Sequence, residues 1–274
     1  MKLAVLGSGS GGNATLLDTG AGVLLVDAGL SAKQLVLRMQ QLGVEPGDLA
    51  GLLITHEHGD HVKGLQVFAR KFDVPVYATA LTQEVLARKV TSVRQWKLFS
   101  AGQGFECAGI EVESFAIPHD AVDPVGFLFS GPSHRASVLT DLGHVSTGLR
   151  QRLGGVSAMV LEANYCDRML AEDEKRPWSL KQRIASRHGH LSNEQACELA
   201  RELQGCGLER VVLGHLSKDC NTAAVAGQAF AGLGLREVRV ASQDEVTGWM
   251  PVFDPPPVPL AVEEGTGQVV MELF

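Results

Sequence analysis

Residues 56–61 read His56-Glu57-His58-Gly59-Asp60-His61. They place four metal-ligand side chains, His56, His58, Asp60 and His61, within six positions. A buried structural histidine accounts for one such residue in a chain, not for three with an aspartate. Imidazole nitrogen suits zinc, manganese or iron, and carboxylate oxygen suits the harder ions of that group. The apolar run Gly51–Ile54 before the segment reads as a short buried strand. Residues 60–72 read as a helix, with Val62, Leu65, Phe68 and Ala69 on one face. In a loop between the two, alternate side chains point in different directions, so one loop can serve two adjacent metals.

Two metals need further ligands, and the chain offers them beyond other apolar runs. His119 follows Phe115-Ala116-Ile117-Pro118, Asp141 follows Val138-Leu139-Thr140, and His215 follows Val211-Val212-Leu213-Gly214. Residues just past the C-terminal ends of strands gather at one rim of a sheet. A carboxylate there, such as Asp141, can bridge two metals about 3.5–4 Å apart. A hydroxide shared by the pair would be the nucleophile, its pKa lowered by the cations.

The rest of the chain reads as strands alternating with helices. Strands are expected at 2–6, 14–18, 23–27, 74–78, 110–117, 125–130, 136–140, 157–161 and 210–213. Helices are expected from the cap Ser31 to Leu42 and at 80–89, 145–153, 192–204 and 222–233. This order predicts an α/β fold, sheets covered by helices. Apolar residues make up 45% of the 274 positions and no apolar run is long enough for a membrane span. The five cysteines (Cys107, Cys166, Cys197, Cys206, Cys220) form no Cys-x-x-Cys pair, which argues against a disulfide framework and for a reducing cytoplasm. A net charge of −7 disfavours a chain that coats nucleic acid non-specifically. A local basic strip, Arg168, Lys175, Arg176, Lys181, Arg183 and Arg187, is diluted by acids and reads as a solvated helical face.

Gly7-Ser8-Gly9-Ser10-Gly11-Gly12 satisfies the dinucleotide-binding spacing but is followed by strand, turn and strand, where a pyrophosphate site needs a helix. Its glycines are expected to let the loop approach other backbone, or a substrate phosphate, closely. Ser8 and Asn13 are accordingly candidate substrate contacts.

The His-x-His-x-Asp-His motif resembles that of the metallo-β-lactamase superfamily, whose motifs here span residues 7–219. The resemblance implies a four-layer αββα sandwich over 1–253. It assigns His56, His58 and His119 to a first metal, Asp60, His61 and His215 to a second, and Asp141 to the bridge. Two divalent ions per chain follow, zinc or manganese, with iron also allowed. Leu161-Glu162-Ala163-Asn164, Gly189-His190-Leu191-Ser192 and Leu213-Gly214-His215-Leu216-Ser217 resemble the nucleic-acid-processing branch. By that resemblance Glu162 orients His190, which protonates the leaving 3′-oxygen. The set as a whole, including Pro177-Trp178-Ser179-Leu180-Lys181, is similar to the YycJ/WalJ-type family, which lacks the β-CASP insert. That similarity implies a metal-dependent DNA exonuclease, 5′→3′ and linked to repair; RNA in place of DNA stays open as the substrate. Asp60, His190 and Glu162 would be catalytic, and Ser8, Asn13, His188, Ser192 and Ser217 would contact substrate. One departure is His144, where the family pattern has an aromatic such as tyrosine.

Two other classes stay open on the sequence: a small-molecule thioester, lactone or phosphoester hydrolase of the same fold, and a non-catalytic binding protein. The former has no need of Glu162 and His190, and the latter no need of a full ligand set. After the Pro-rich stretch 254–259, which reads as a stiff linker, Gln268–Phe274 resembles peptides that bind the bacterial sliding clamp; a docked final strand is the plainer alternative.

Overall fold

The computed structural model describes residues 1–253. The expected linker and clamp-like tail, 254–274, lie outside the described residues.

The first sheet is built from β1 (Lys2–Gly7), β2 (Ala14–Asp18), β3 (Val23–Val26), β4 (Leu49–Leu53), β5 (Val76–Thr79) and β6 (Trp96–Phe99). Between them lie α1 (Ala32–Gln41), α2 (Gly59–Val62), α3 (Leu65–Lys71) and α4 (Ala80–Ala87). The second sheet takes β7 (Gly104–Cys107), β8 (Ile110–Ala116), β9 (Val125–Ser130), β10 (Arg135–Leu139), β11 (Val156–Glu162), β12 (Arg210–Gly214) and β13 (Glu237–Val240). Its helices are α5 (Thr147–Leu153), α6 (Asp167–Glu172), α7 (Trp178–Ile184), α8 (Asn193–Gln204) and α9 (Ala223–Phe230). The short β14 (Met250–Pro251) returns to the first sheet beside β1, antiparallel to it. Among the described residues each sheet thus has seven strands, ordered β14-β1-β2-β3-β4-β5-β6 and β13-β12-β11-β10-β9-β8-β7.

Alternation along the strands makes the layers. Leu3, Val5, Leu24 and Leu53 point inward to meet Phe127, Phe129, Val138, Val160 and Val212 of the opposite sheet. Their neighbours Leu6, Leu25 and Leu52 point outward onto Leu35 and Met39 of α1, Phe68 of α3 and Leu86 of α4. On the other side Leu139, Leu161 and Leu213 pack on Leu149 of α5, Leu199 of α8 and Phe230 of α9. Strands covered on both faces need apolar residues at every position, which is why they read as continuous apolar runs. The four-layer αββα sandwich expected from the sequence is the fold observed.

The first sheet runs parallel from β3 to β6, and the second from β10 to β13. Parallel strands align their C-terminal ends, so both sheets deliver their strand exits to one rim, where sites of open α/β sheets are found.

Three differences from the sequence reading have physical causes. The expected helix 60–72 is split into α2 and α3 at Gly64. Its N–H donates to the Ala28 carbonyl at 2.8 Å, and a Cβ there would overlap the Leu30 carbonyl oxygen. Strands β6, β7 and β13 were not expected. They carry polar and half-exposed residues, as edge or near-edge strands do, and so lack an apolar run. Helices α6 and α7 were also not expected as elements: α7 buries none of its residues, so no apolar stripe marks it.

Candidate metal centre

The residues at this rim are held in backbone conformations that side chains seldom adopt. Asp27, Asp141 and His215 have φ of 62°, 57° and 54°, and each stands immediately or two residues past the end of β3, β10 or β12. Left-handed backbone at a residue with a Cβ carries a cost, and it persists where surrounding structure fixes it, commonly at functional sites. Here it turns the side chain sideways off the strand end and into the gap between the sheets.

The loop 56–61 enters the same gap because two glycines let it lie against the 27–31 segment. Asn13 N donates to the Asp60 carbonyl at 2.7 Å, and Ala28 N to the His61 carbonyl at 2.7 Å. A Cβ on Gly29 would overlap that Asp60 carbonyl oxygen. Gly12 (φ +154°) meets the Gly29 carbonyl in the same way. The glycine-rich loop therefore serves backbone approach, and its Ser10 also lines the cleft above the cluster.

Four groups of ligand-type atoms result among the described residues, each within 4.8 Å: His56, His58 and His119; Asp60, His61 and His215; His56, His61 and Asp141; and Asp141, Glu162, His190 and His215. Asp141 stands between the first two. Its Oδ2 is 2.9 Å from His61 Nε2 and its Oδ1 is 3.6 Å from His119 Nε2.

The histidines are oriented from behind. His56 Nδ1 is 3.0 Å from Thr55 Oγ1, His61 Nδ1 is 2.7 Å from Asp27 Oδ2, His119 Nδ1 is 3.2 Å from the Gly189 carbonyl, and His215 Nδ1 is 2.7 Å from Glu162 Oε1. Each Nε2 is thereby turned toward the centre. His58 is reversed, with its Nδ1 3.4 Å from His119 Nε2. Fixing one ring nitrogen and freeing the other is how metal-binding histidines are held. The donor set also passes a direct test. His56 Nε2 is fully buried and has no hydrogen-bond partner among the described residues, a cost that a bound cation would remove.

The electrostatics agree. Burial alone would neutralise these groups, but their mutual attraction outweighs it. Against burial, His215 and His61 hold Asp141 well below the usual carboxylate range. Against burial, His190 and then His215 hold Glu162 at about 2. Asp141 and Asp27 raise His61 to about 10 despite its burial, and Asp141 raises His215 well above an ordinary imidazole. His56 is instead pushed well below by burial and by His61. Protons here stand in for cations, and a bound metal displaces them.

Glu162 is completely buried at the end of β11. Its Oε2 accepts from Leu142 N at 2.9 Å and Leu191 N at 3.1 Å. Its Oε1 lies 2.8 Å from His190 Nδ1 as well as 2.7 Å from His215 Nδ1. The carboxylate therefore orients two histidines, where the sequence suggested one. His190, with 22% of its side chain exposed, lines the cleft above the cluster.

That cleft, about 270 Å³, is also lined by Asp60, Asp120, Asp141, Asn164, Arg176, Leu180, Arg183 and Ser217. Of the expected substrate contacts, Ser217 alone reaches it. Ser8 Oγ is buried, donating to Asn13 Oδ1 at 2.9 Å and accepting from His215 N at 2.7 Å. Asn13 is buried and its Nδ2 lies 3.2 Å from His61 Nε2. Ser192 is the buried N-cap of α8, in a capping box with Gln195. His188 is exposed and does not line the cleft. Ser8, Asn13 and Ser192 build the frame around the ligands and are not brought to the cleft surface. His144 Nε2 is 3.1 Å from Arg187 Nη2 at the surface.

The sequence reading missed Asp27, Thr55 and Asn164. Asp27 accepts from Thr55 N at 2.9 Å and Thr55 Oγ1 at 2.8 Å while holding His61. Asn164 Nδ2 donates to the His215 carbonyl at 2.7 Å. Asp27 and Asn164 each follow a strand, the signal used for Asp141, and could have been found by it.

The family described as the Beta-lactamase superfamily domain matches residues 23–216. The chain belongs to that superfamily. Exodeoxyribonuclease YycJ of Bacillus anthracis is 38% identical over 228 residues, covering 82% of this chain and 86% of its own. Exodeoxyribonuclease WalJ of Streptococcus pneumoniae serotype 2 (strain D39 / NCTC 7466) is 37% identical over 247 residues, covering 85% and 91%. The chain is therefore a YycJ/WalJ-type member of the superfamily. The crystal structure of the metallo-beta-lactamase fold protein YhfI from Bacillus subtilis superposes with a TM-score of 0.70 at 17% identity, covering 89% of this chain and 98% of its own. The chain is a metal-dependent hydrolase by its family and its donor cluster. No helix among the described residues is long and apolar enough to cross a membrane.

Proposed function

We propose that the chain is a binuclear metal-dependent DNA exonuclease, acting 5′→3′ in the cytoplasm and serving DNA repair. The names of the YycJ and WalJ relatives support the substrate. The observation that carries the mechanism is the Glu162–His190 pair at the cleft, which small-molecule hydrolysis of this fold does not require.

His56, His58 and His119 would hold one divalent ion, Asp60, His61 and His215 a second, and Asp141 would touch both. Zinc and manganese suit these donors, and iron is compatible. When bound, the ions supply an activated water and neutralise charge developing on the phosphoryl oxygens.

The chain's own residues do the rest. Leu142 N and Leu191 N fix the Glu162 carboxylate, so it does not rotate away from His190. Burial lowers the His190 pKa, but the Glu162 charge outweighs it and leaves the pKa raised. His190 donates through Nδ1 to Glu162, which leaves Nε2 on the opposite edge of the ring to carry a proton toward the cleft. That proton goes to the leaving 3′-oxygen.

The test is incubation of metal-reconstituted protein with 5′- and 3′-labelled DNA and RNA, with His190→Ala alongside. Stepwise release from the 5′ end of DNA, lost in the variant, is the expected result. Release that His190→Ala leaves intact overturns the proton-donor role, and no release from either polymer turns the reading to a small-molecule hydrolase.

A further inference from the structure

We infer that Arg183, on the cleft wall made by α7, grips a phosphate of the nucleic-acid strand, and that Asp120 holds its place until substrate arrives. The inference rests on the nuclease reading and names the residue that would bind substrate there.

Three carboxylates, Asp60, Asp120 and Asp141, line the cleft. Apart from histidines, its lining cations are two, Arg176 and Arg183. A polyanion entering this cleft meets repulsion everywhere but at the metals and at that wall. The two arginines are not equivalent. Arg176, with 20% of its side chain exposed, is pinned between two carboxylates, 2.7 Å from Asp173 Oδ2 and 2.9 Å from Asp219 Oδ2. It ties the start of α7 to the segment after β12 and has no free reach.

Arg183 has 67% of its side chain exposed and, among the carboxylates of the described residues, contacts Asp120 alone, through Nε at 2.7 Å and through Nη2, both on Oδ2. The other oxygen, Asp120 Oδ1, lies 3.4 Å from His119 Nε2, a nitrogen turned toward the metal cluster. One carboxylate thus spans from the cluster to the guanidinium. A phosphate has the charge and the paired oxygens to take that place, one oxygen toward the cluster and one on Arg183. The exchange is cheap, because an ion pair this exposed contributes little. Guanidinium is also the side chain whose planar donors match phosphate best. Leu180 and Ile184 beside Arg183 on the same helix give the wall an apolar strip.

The experiment measures binding of a fluorescein-labelled single-stranded oligonucleotide by anisotropy over a salt series, with cleavage of end-labelled DNA in parallel. It uses metal-loaded wild type, Arg183→Gln and Arg183→Lys. The expected result is about tenfold weaker binding by Arg183→Gln, with KM raised and kcat within about twofold. The slope of log affinity against log salt becomes shallower by about 0.7, the value for one lost phosphate contact on a single strand. Arg183→Lys restores the slope and part of the affinity, and metal content is the same in all three. Wild-type cleavage with Arg183→Gln equal in affinity and slope overturns this inference alone. A loss that keeps the wild-type slope and is not rescued by lysine assigns Arg183 to structure, and also overturns it. Wild type that neither binds nor cleaves DNA overturns the nuclease reading, and this inference with it.

Discussion

The Asp27 carboxylate reaches His61 Nδ1 at 2.7 Å from the opposite side of the ring to the metal cluster. Asp27 is itself fixed by Thr55, whose hydroxyl also lies 3.0 Å from His56 Nδ1. Two candidate ligands from different metal groups therefore share one support, made by the exits of β3 and β4.

Replacing Asp27 removes that support without touching a metal. Asp27→Asn should weaken metal affinity by about 10- to 100-fold, the range for partners behind metal-binding histidines. Competition with a chromophoric chelator measures it. Wild-type affinity in Asp27→Asn would show that packing alone orients His61.

Glu162 and His190 should separate in their effects. His190→Ala removes only the proton donor and should lower kcat by about 10²- to 10⁴-fold with metal content unchanged. Glu162→Gln disturbs both His190 and His215, so it should lower kcat and metal content together. The double variant should be no worse than about the worse single one, since the residues act as a unit. Metal analysis beside single-turnover rates checks all three. Full metal occupancy in Glu162→Gln would refute the shared role of its carboxylate.

Gly29 has no room for a methyl group, because a Cβ would strike the Asp60 carbonyl and lie 2.5 Å from Asn13 N. Gly29→Ala should destabilise the fold by about 1–3 kcal/mol, the cost of overpacking a close contact, and should displace the loop that carries His58 and Asp60. Urea unfolding gives the first effect and metal titration the second. Alanine at the open position Gly47, where a Cβ meets nothing within 4 Å, is the control and should be close to neutral.

Metal loading should raise the unfolding temperature. A ligand that binds only the folded chain stabilises by about 2.7 kcal/mol at a hundred times its dissociation constant. Thermal scans of chelator-treated protein with and without added zinc or manganese read the shift. Equal midpoints would argue that the cluster does not bind the added ion.

Much of the site is legible in the chain because ligand chemistry is local. His56, His58, Asp60 and His61 stand together in sequence, and His119, Asp141 and His215 each follow an apolar run that is a strand. The cap Ser31 was legible for the same reason: it accepts from the third backbone N–H of the helix it starts. Elements with no apolar pattern, the edge strands β6 and β13 and the solvent-facing α7, left no such trace.

The sequence by itself determined the metal-binding loop and the doubly buried strands, because side-chain type and hydrophobic period are properties of neighbouring residues, while the αββα order came from the family resemblance. Only the tertiary structure decided which nitrogen each histidine presents, that Glu162 serves two histidines, and that Ser8, Asn13 and Ser192 are spent on the frame. Those outcomes depend on hydrogen bonds between residues far apart in the chain, such as Ser8 with His215 or Asp27 with His61. Such bonds exist only once parallel strand ends from two sheets have been brought to one rim.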